Sequence, residues 1–405
     1  MDRRTFISSP LLLAVQTAPP KRLAAVITEY RQLSHADVIV GKYLEGYNHD
    51  DQPPYPRSKV VSLFTEQVPQ NDLSRDKARK YNVPIYPTVR GALTLGTGKL
   101  AVDGVILIGE HGAYPSNDKG QKLYPRYEMF LKVTDVFREN RRSVPVYTDK
   151  HLSWDWHQAR RMVEISRELK FAFMAGSSIP VAYRVPAHDV PYGARLKHAV
   201  VISFGGLESY GFHGLEGLQA LIERRAGGET GVAAVQCLED AGCWNFLDEN
   251  GWARKLFDAA LSRSESRKPG APRDLVKRPA AFLVEYRDGT AGVVFQMPGL
   301  VEEWLGAVEI EGQAEPFSVL FKLQRFGVRH HFGCLVQNME TMFETGNPPY
   351  PVERTLLTSG VLDFLLESRK RGHVRLETPE LGVQYRPAEG PCYCTKGWSA
   401  DGKRL

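Results

Sequence analysis

Strand and helix alternate up to about Ser177, longer strands follow one another from Arg195 onward, and the chain runs to 405 residues. Together these predict an α/β protein in two parts: an N-terminal Rossmann-like, doubly wound parallel sheet and a C-terminal α+β domain with an open, largely antiparallel sheet. A chain of this length exceeds one ordinary core. The expected divisions are a leader at 1–18, the Rossmann-like domain at 21–177, the second domain at 178–375 and a tail at 376–405.

Each element has its own signal. Leu23-Ala24-Ala25-Val26-Ile27 is a short apolar run followed by a helical pattern over 35–47. Pro53, Pro54 and Pro56 make 48–57 a loop before the second strand, 60–64. Ser74 caps a charged helix ending near Tyr81, and 83–86 returns to the sheet. The stretch 103–109 is continuously apolar, as a strand buried on both faces requires. Helix 127–140, strand 144–147, helix 154–169 and strand 171–175 complete the first half. In the second half, runs at 199–204, 280–286, 292–296, 307–310 and 317–323 read as an antiparallel sheet, with Asp288-Gly289 as a hairpin turn. Helices at 214–225, 252–262 and 358–368 cover one face of it. An uncovered second face predicts a homo-oligomer, dimer or tetramer.

Composition excludes several classes. No apolar run approaches the roughly 20 residues that span a bilayer, so integral membrane contact is not expected. The net charge of +5 is spread along the chain, without the clustered basic face that nucleic-acid binding requires. Arg3-Arg4-Thr5-Phe6-Ile7 followed by Pro10-Leu11-Leu12-Leu13-Ala14-Val15 resembles a twin-arginine export signal, the alternative being a disordered basic N-terminus. Five cysteines, an odd number in a large chain, indicate no disulfide framework, and Cys392-Tyr393-Cys394 reads as a plain tail. His330-His331, read on a strand, would face opposite sides, and no metal site is expected.

Several local strings resemble the glucose-fructose oxidoreductase and inositol dehydrogenase (Gfo/Idh/MocA) family over essentially the whole mature chain. The segment Val144 to Leu152, with Asp149-Lys150-His151 at its turn, is similar to the family's strand ending in Glu-Lys-Pro. Arg184-Val185-Pro186 resembles its Arg-x-Pro, and Gly205-Gly206-Leu207-Glu208-Ser209-Tyr210-Gly211-Phe212-His213 its glycine-rich segment ending in histidine. Gly346-Asn347-Pro348-Pro349-Tyr350-Pro351 resembles its closing Gly-x-Pro-Pro element. The resemblance implies an oxidoreductase that uses NAD or NADP on a small carbohydrate or polyol, with substrate and oligomer contacts in the second domain. The family's Gly-x-Gly-x-x-Gly turn is absent: here the turn runs from Thr28 through Glu29, Tyr30 and Arg31 to His35 without a glycine.

Oxidising a hydroxyl needs a base for the O–H proton beside the nicotinamide. The resemblance gives that part to His213 and makes Lys150 its electrostatic partner, while Glu208 stands beside Ser209, which occupies the family's aspartate position. Candidate cofactor contacts are Thr28, Arg31, His35, Glu66, Glu110, His111 and Lys150. Arg31 can pair with a phosphate, Glu66 follows the second strand where a ribose is held, and Glu110 and His111 follow a strand at its carboxyl end. Candidate substrate contacts are Asn117, Tyr124 and Arg126, in a loop dense with hydrogen-bonding groups, and Arg184. Two further functions stay open: nicotinamide-assisted glycoside cleavage or elimination, and non-catalytic carbohydrate binding.

Overall fold

The computed structural model describes residues 18–323 and 329–395. The expected export signal, but for Ala18, lies outside the described residues. The first half consists of β1 (Arg22–Ile27), α1 (His35–Glu45), β2 (Lys59–Thr65), α2 (Ser74–Tyr81), α3 (Val89–Thr94), β3 (Gly104–Ile108), α4 (Arg126–Asn140), β4 (Val146–Asp149), α5 (Trp156–Glu168) and β5 (Phe173–Gly176). Its strands are all parallel in the order β2-β1-β3-β4-β5, and Ile85 adds a parallel bridge to Leu63 at the edge in place of the full strand read at 83–86. Because β3 is sandwiched between helices its five residues are all buried, which is why its sequence shows no alternation.

The second half begins with β6 (Tyr183–Val185), β7 (Leu196–Ser203), α6 (Ser209–Ile222), β8 (Val232–Glu239), α7 (Asp240–Glu249), α8 (Gly251–Leu261) and α9 (Pro272–Leu275). It continues through β9 (Ala280–Tyr286), β10 (Ala291–Gln296), β11 (Trp304–Ile310), β12 (Phe317–Lys322), α10 (His330–Thr345), α11 (Glu353–Lys370) and β13 (Leu376–Glu377). The sheet is open, in the order β13-β8-β9-β10-β7-β11-β12-β6, and antiparallel except between β7 and β10.

Four readings are corrected here. The strand face expected to be bare is covered: alternate residues of β7 point both ways, Ala199 and Val201 into the core beneath α6, Val200 and Ile202 into a core with Leu256 and Phe257 of α8. The oligomer expectation thereby loses its premise. His330-His331 open helix α10 instead of lying on a strand. Residues 376–377 pair with β8 instead of trailing free. Cys334 of α10 and Cys394 form a disulfide with Cα atoms 5.6 Å apart, and the Cys394 amide donates to the Val181 carbonyl at 3.0 Å. Two cysteines 60 residues apart carry no local pattern that announces their pairing.

For the site, the decisive feature is that α10 returns from the second half and packs on α1. Phe332 meets the ring of His35 edge-on at 5.3 Å, so the starts of the two helices converge.

Candidate functional site

A cavity of about 660 Å³ opens where the carboxyl ends of β3 and β4 face the start of α6 and of α10. Lys150 reaches it from the end of β4, and His213 from α6. The Lys150 ammonium donates to the Ser209 carbonyl at 3.1 Å and lies 3.6 Å from Glu110. His213 is four residues beyond Ser209 and so faces the same side of the helix, one turn on. Both side chains are buried, Lys150 at 4% exposure and His213 at 9%.

Burial, and then the charge of Lys150, holds the His213 imidazole well below its ordinary pKa, so it is neutral at pH 7. Its Nδ1 lies 2.6 Å from the Ser177 hydroxyl, which also accepts the Ile179 amide at 3.0 Å. That leaves Nε2 for a ligand. The Ser177 amide donates in turn to Glu216 at 3.1 Å, a carboxyl whose own affinity for protons is raised by full burial.

Behind Lys150 runs a buried chain of charges. Glu110 pairs with Arg126, Arg126 Nη1 lies 3.1 Å from His151 Nε2, and His151 stands 3.6 Å from Glu208. Burial alone would raise Glu110, but Lys150 and Arg126 prevail and hold it ionised. His151 is kept neutral by burial and by Arg126, whereas burial raises Glu208. Arg126 reaches Glu110 only because Gly109 lacks a side chain: a Cβ there would sit 2.5 Å from Arg126 Cγ.

The opposite wall is aromatic. Tyr210 and Trp304 stack with rings 10° apart and centroids at 5.7 Å, and His213 stands edge-on to Trp304 at 5.5 Å. Four cavity residues also hold left-handed backbone, Leu33 at φ 57°, His111 at φ 69°, Lys150 at φ 66° and Arg329 at φ 50°. For non-glycine residues this costs about 1–3 kcal/mol each and is characteristic of functional sites.

No protein-family profile matches the sequence, and no curated protein does. Among solved structures, the chain is similar to GenD2 from gentamicin A biosynthesis in complex with NAD, at 13% identity and TM-score 0.57, over 89% of this chain and 97% of that one. It is also similar to scyllo-inositol dehydrogenase from Lactobacillus casei, at 9% identity and TM-score 0.55, over 89% and 98% of the two chains. A third likeness is to myo-inositol 2-dehydrogenase from Lactobacillus plantarum, at 11% identity and TM-score 0.53, over 88% and 99%. The fold is that of the glucose-fructose oxidoreductase and inositol dehydrogenase family.

Within this dehydrogenase fold the residues singled out from sequence divide into three groups. Lys150, His213, His35, Glu110, His111 and Tyr124 line the one cavity. His35 pairs with Asp149 at 2.6 Å, and His111, lowered to about pH 4 by burial and by His35, lies 3.0 Å from Arg31. A second group supports the wall: Thr28 donates to the Glu110 carbonyl at 2.8 Å, Arg31 pairs with Glu29 at 2.6 Å, and Arg126 and Glu208 belong to the buried chain. Glu208 faces an adjoining hollow rather than the main cavity. The third group stands apart. Asn117 accepts the amides of Lys119 and Gln121, both at 3.0 Å, and so holds its own loop. Arg184 is closed off by Asp189, and Glu66 by Tyr114 and Lys132.

A nicotinamide dinucleotide in this fold lies across the strand ends, and the cavity fits its reactive end and a small substrate. Thr65, at the end of β2, keeps a buried hydroxyl without a partner among the described residues, where a ribose is held in such folds. The phosphate position between them is unusual. The Leu33 amide is taken by Asp37 at 2.9 Å and the Asp37 amide by Ser34 at 3.3 Å, so the start of α1 satisfies its own donors in part. Sequence reading missed Ser177, Tyr210, Trp304, Arg329 and His331. Tyr210 lay inside a string already singled out, and His331 had been weighed only as a metal ligand.

Proposed function

We propose that this chain is an NAD(P)-dependent oxidoreductase of a sugar, polyol or related hydroxy compound. The observation that carries the reading is the single cavity shared by Lys150 and His213 at the ends of the Rossmann-type strands. A bound nicotinamide supplies the acceptor or donor of hydride. His213, neutral and anchored through Nδ1, takes the hydroxyl proton at Nε2. The ammonium of Lys150, fixed by Ser209 and Glu110, donates to the reacting oxygen and stabilises its developing negative charge. The Tyr210 and Trp304 wall offers the C–H face of a sugar an apolar surface, while Tyr124 and His111 supply polar contacts.

The reading includes work outside the cytoplasm. It is supported by the Arg3-Arg4 leader and by the Cys334–Cys394 disulfide, since such bonds persist in oxidising compartments.

Denaturing the purified protein and identifying released nucleotide by absorbance and mass tests the cofactor, and a panel of sugars and polyols with NAD and NADP tests the reaction. Lys150→Met and His213→Asn should each lower kcat by roughly 10²–10⁴. Unchanged turnover in both variants would remove them from the reaction. The glycine-free turn supports one rival, a non-catalytic carbohydrate-binding protein, which predicts sugar binding without any nucleotide.

A further inference from the structure

The start of α10 sits at a junction. Leu33 and Arg329 line both the catalytic cavity and an adjoining groove of about 540 Å³ that runs past Gln32, Asp37 and Lys77. The groove leads out of the cavity along α1 and α2, beside the turn that lacks glycines.

Three observations mark the junction as a place for an anion. α10 is 16 residues long and its N-cap, Arg329, makes no side-chain cap; the Phe332 amide is taken by the Arg329 carbonyl at 3.0 Å, which leaves the His331 amide as the first-turn donor for a ligand, and the helix dipole adds positive potential. Arg329, half-buried, makes no ion pair among the described residues, whereas the buried arginines Arg126, Arg184, Arg225 and Arg354 all do. His331, only 5% exposed, lines the cavity with an Nδ1 that has no hydrogen-bond partner among the described residues. An unspent imidazole nitrogen in a buried wall calls for a partner from the ligand.

We propose that Arg329 and the imidazole and main-chain amide of His331 form an oxyanion site that takes the diphosphate of the dinucleotide. It does here what the glycine-rich turn does in other Rossmann proteins, with side chains from the second half replacing main-chain amides of the first. The inference rests on the dinucleotide reading above. Two carboxylates face the groove and both are engaged: Asp37 accepts the Leu33 amide and lies 3.7 Å from Lys77, and Glu45 pairs with the same Lys77 and accepts from Tyr81 at 3.1 Å, with His49 at 3.0 Å, so Arg329 is the groove cation left to an anion.

Calorimetry on the full chain tests it, using NAD, NADP, nicotinamide riboside as the phosphate-free probe, inorganic pyrophosphate, and the pair D-glucuronate and D-glucose. Arg329→Gln should weaken the preferred dinucleotide roughly tenfold or more, as loss of a charged hydrogen bond does. Nicotinamide riboside should bind the variant as it binds the wild type, and pyrophosphate should compete with dinucleotide only in the wild type. His331→Asn should show the same pattern. If both variants bind dinucleotide like the wild type, the site is overturned and the dinucleotide reading stands. If the wild type takes neither NAD nor NADP but binds pyrophosphate or glucuronate through Arg329, with glucose ignored, the dinucleotide reading falls and the oxyanion site stands, serving an acid group on the substrate. Failure of the wild type to bind any of the anions overturns both.

Discussion

His213 has a second residue behind it. Ser177 directly follows β5 and fixes Nδ1 of the imidazole, so the ring presents Nε2 in one orientation. Ser177→Ala removes that bond without touching substrate. We expect kcat to fall about tenfold to a hundredfold, with KM little changed and the basic limb of the pH profile displaced. A variant with wild-type kcat would leave Ser177 a purely local turn residue. Lys150 and His213 were singled out through the resemblance of the strings that hold them, and the structure brings both to one cavity. Ser177 and Trp304 were not singled out, since one stands behind His213 and the other enters the cavity from a distant segment, each with no motif of its own, and His331 had been weighed only as a metal ligand. The opposite error also has a physical cause. Polar density in a loop does not reveal where its hydrogen bonds go, and Asn117 and Arg184 give theirs to neighbours two to five residues away.

At the level of elements, strands of the first sheet were readable from continuous apolar runs, and α6 from its glycine-rich entry. The start of α10 was not, for Arg329 takes left-handed backbone, with φ 50°, and offers no side-chain cap, so the usual start signal is missing. Helix α7 and strand β8 also went unread, and α8, read at 252–262, was set on the same face as α6 when it covers the other, which is why the second face of the sheet looked bare. The glycines of α6 do more than open the helix. A Cβ on Gly214 would lie 2.5 Å from Val294 Cγ1, and one on Gly211 2.6 Å from Phe282 Cε2, so the helix lies against β9 and β10 at a distance only glycine permits. Gly214→Val should therefore lower stability by about 1–3 kcal/mol through overpacking. The same displacement should reduce activity, because His213 is the preceding residue. A urea midpoint equal to that of the wild type would show that the helix can retreat from the sheet without cost.

The two halves are held as one working unit by the cavity's buried charges and by the tail, and each has a measurable signature. His151, His213 and His331 are all held neutral in the fold, chiefly by burial, well below the value of about 6.5 they take in the unfolded chain. Below that pH the unfolded state binds more protons than the native one. Stability is therefore whole above pH 6.5 and is lost on acidification at up to about 1.4 kcal/mol per pH unit per histidine, levelling off only when the folded-state values are reached. Tm should fall steeply between pH 6.5 and 5, before ordinary carboxylates titrate. A flat Tm over that interval contradicts the neutral burial of these rings. The disulfide acts on the same unit from outside. Cys334 lies one turn into α10, and its bond to Cys394 closes a 60-residue span that includes α11 and β13. Closing such a span in the unfolded chain restricts it by about 4 kcal/mol in the chain-entropy description, with 2–4 kcal/mol typical of measurement. Reductant should lower the Tm of the wild type to that of Cys394→Ser, and should leave the variant unmoved. Because the bond also ties the first turns of α10 to the tail, the same treatment should weaken anion binding at Arg329. Thiol titration showing the bond reduced, with Tm and binding both unchanged, would mean that packing of α10 on α1 alone fixes the junction.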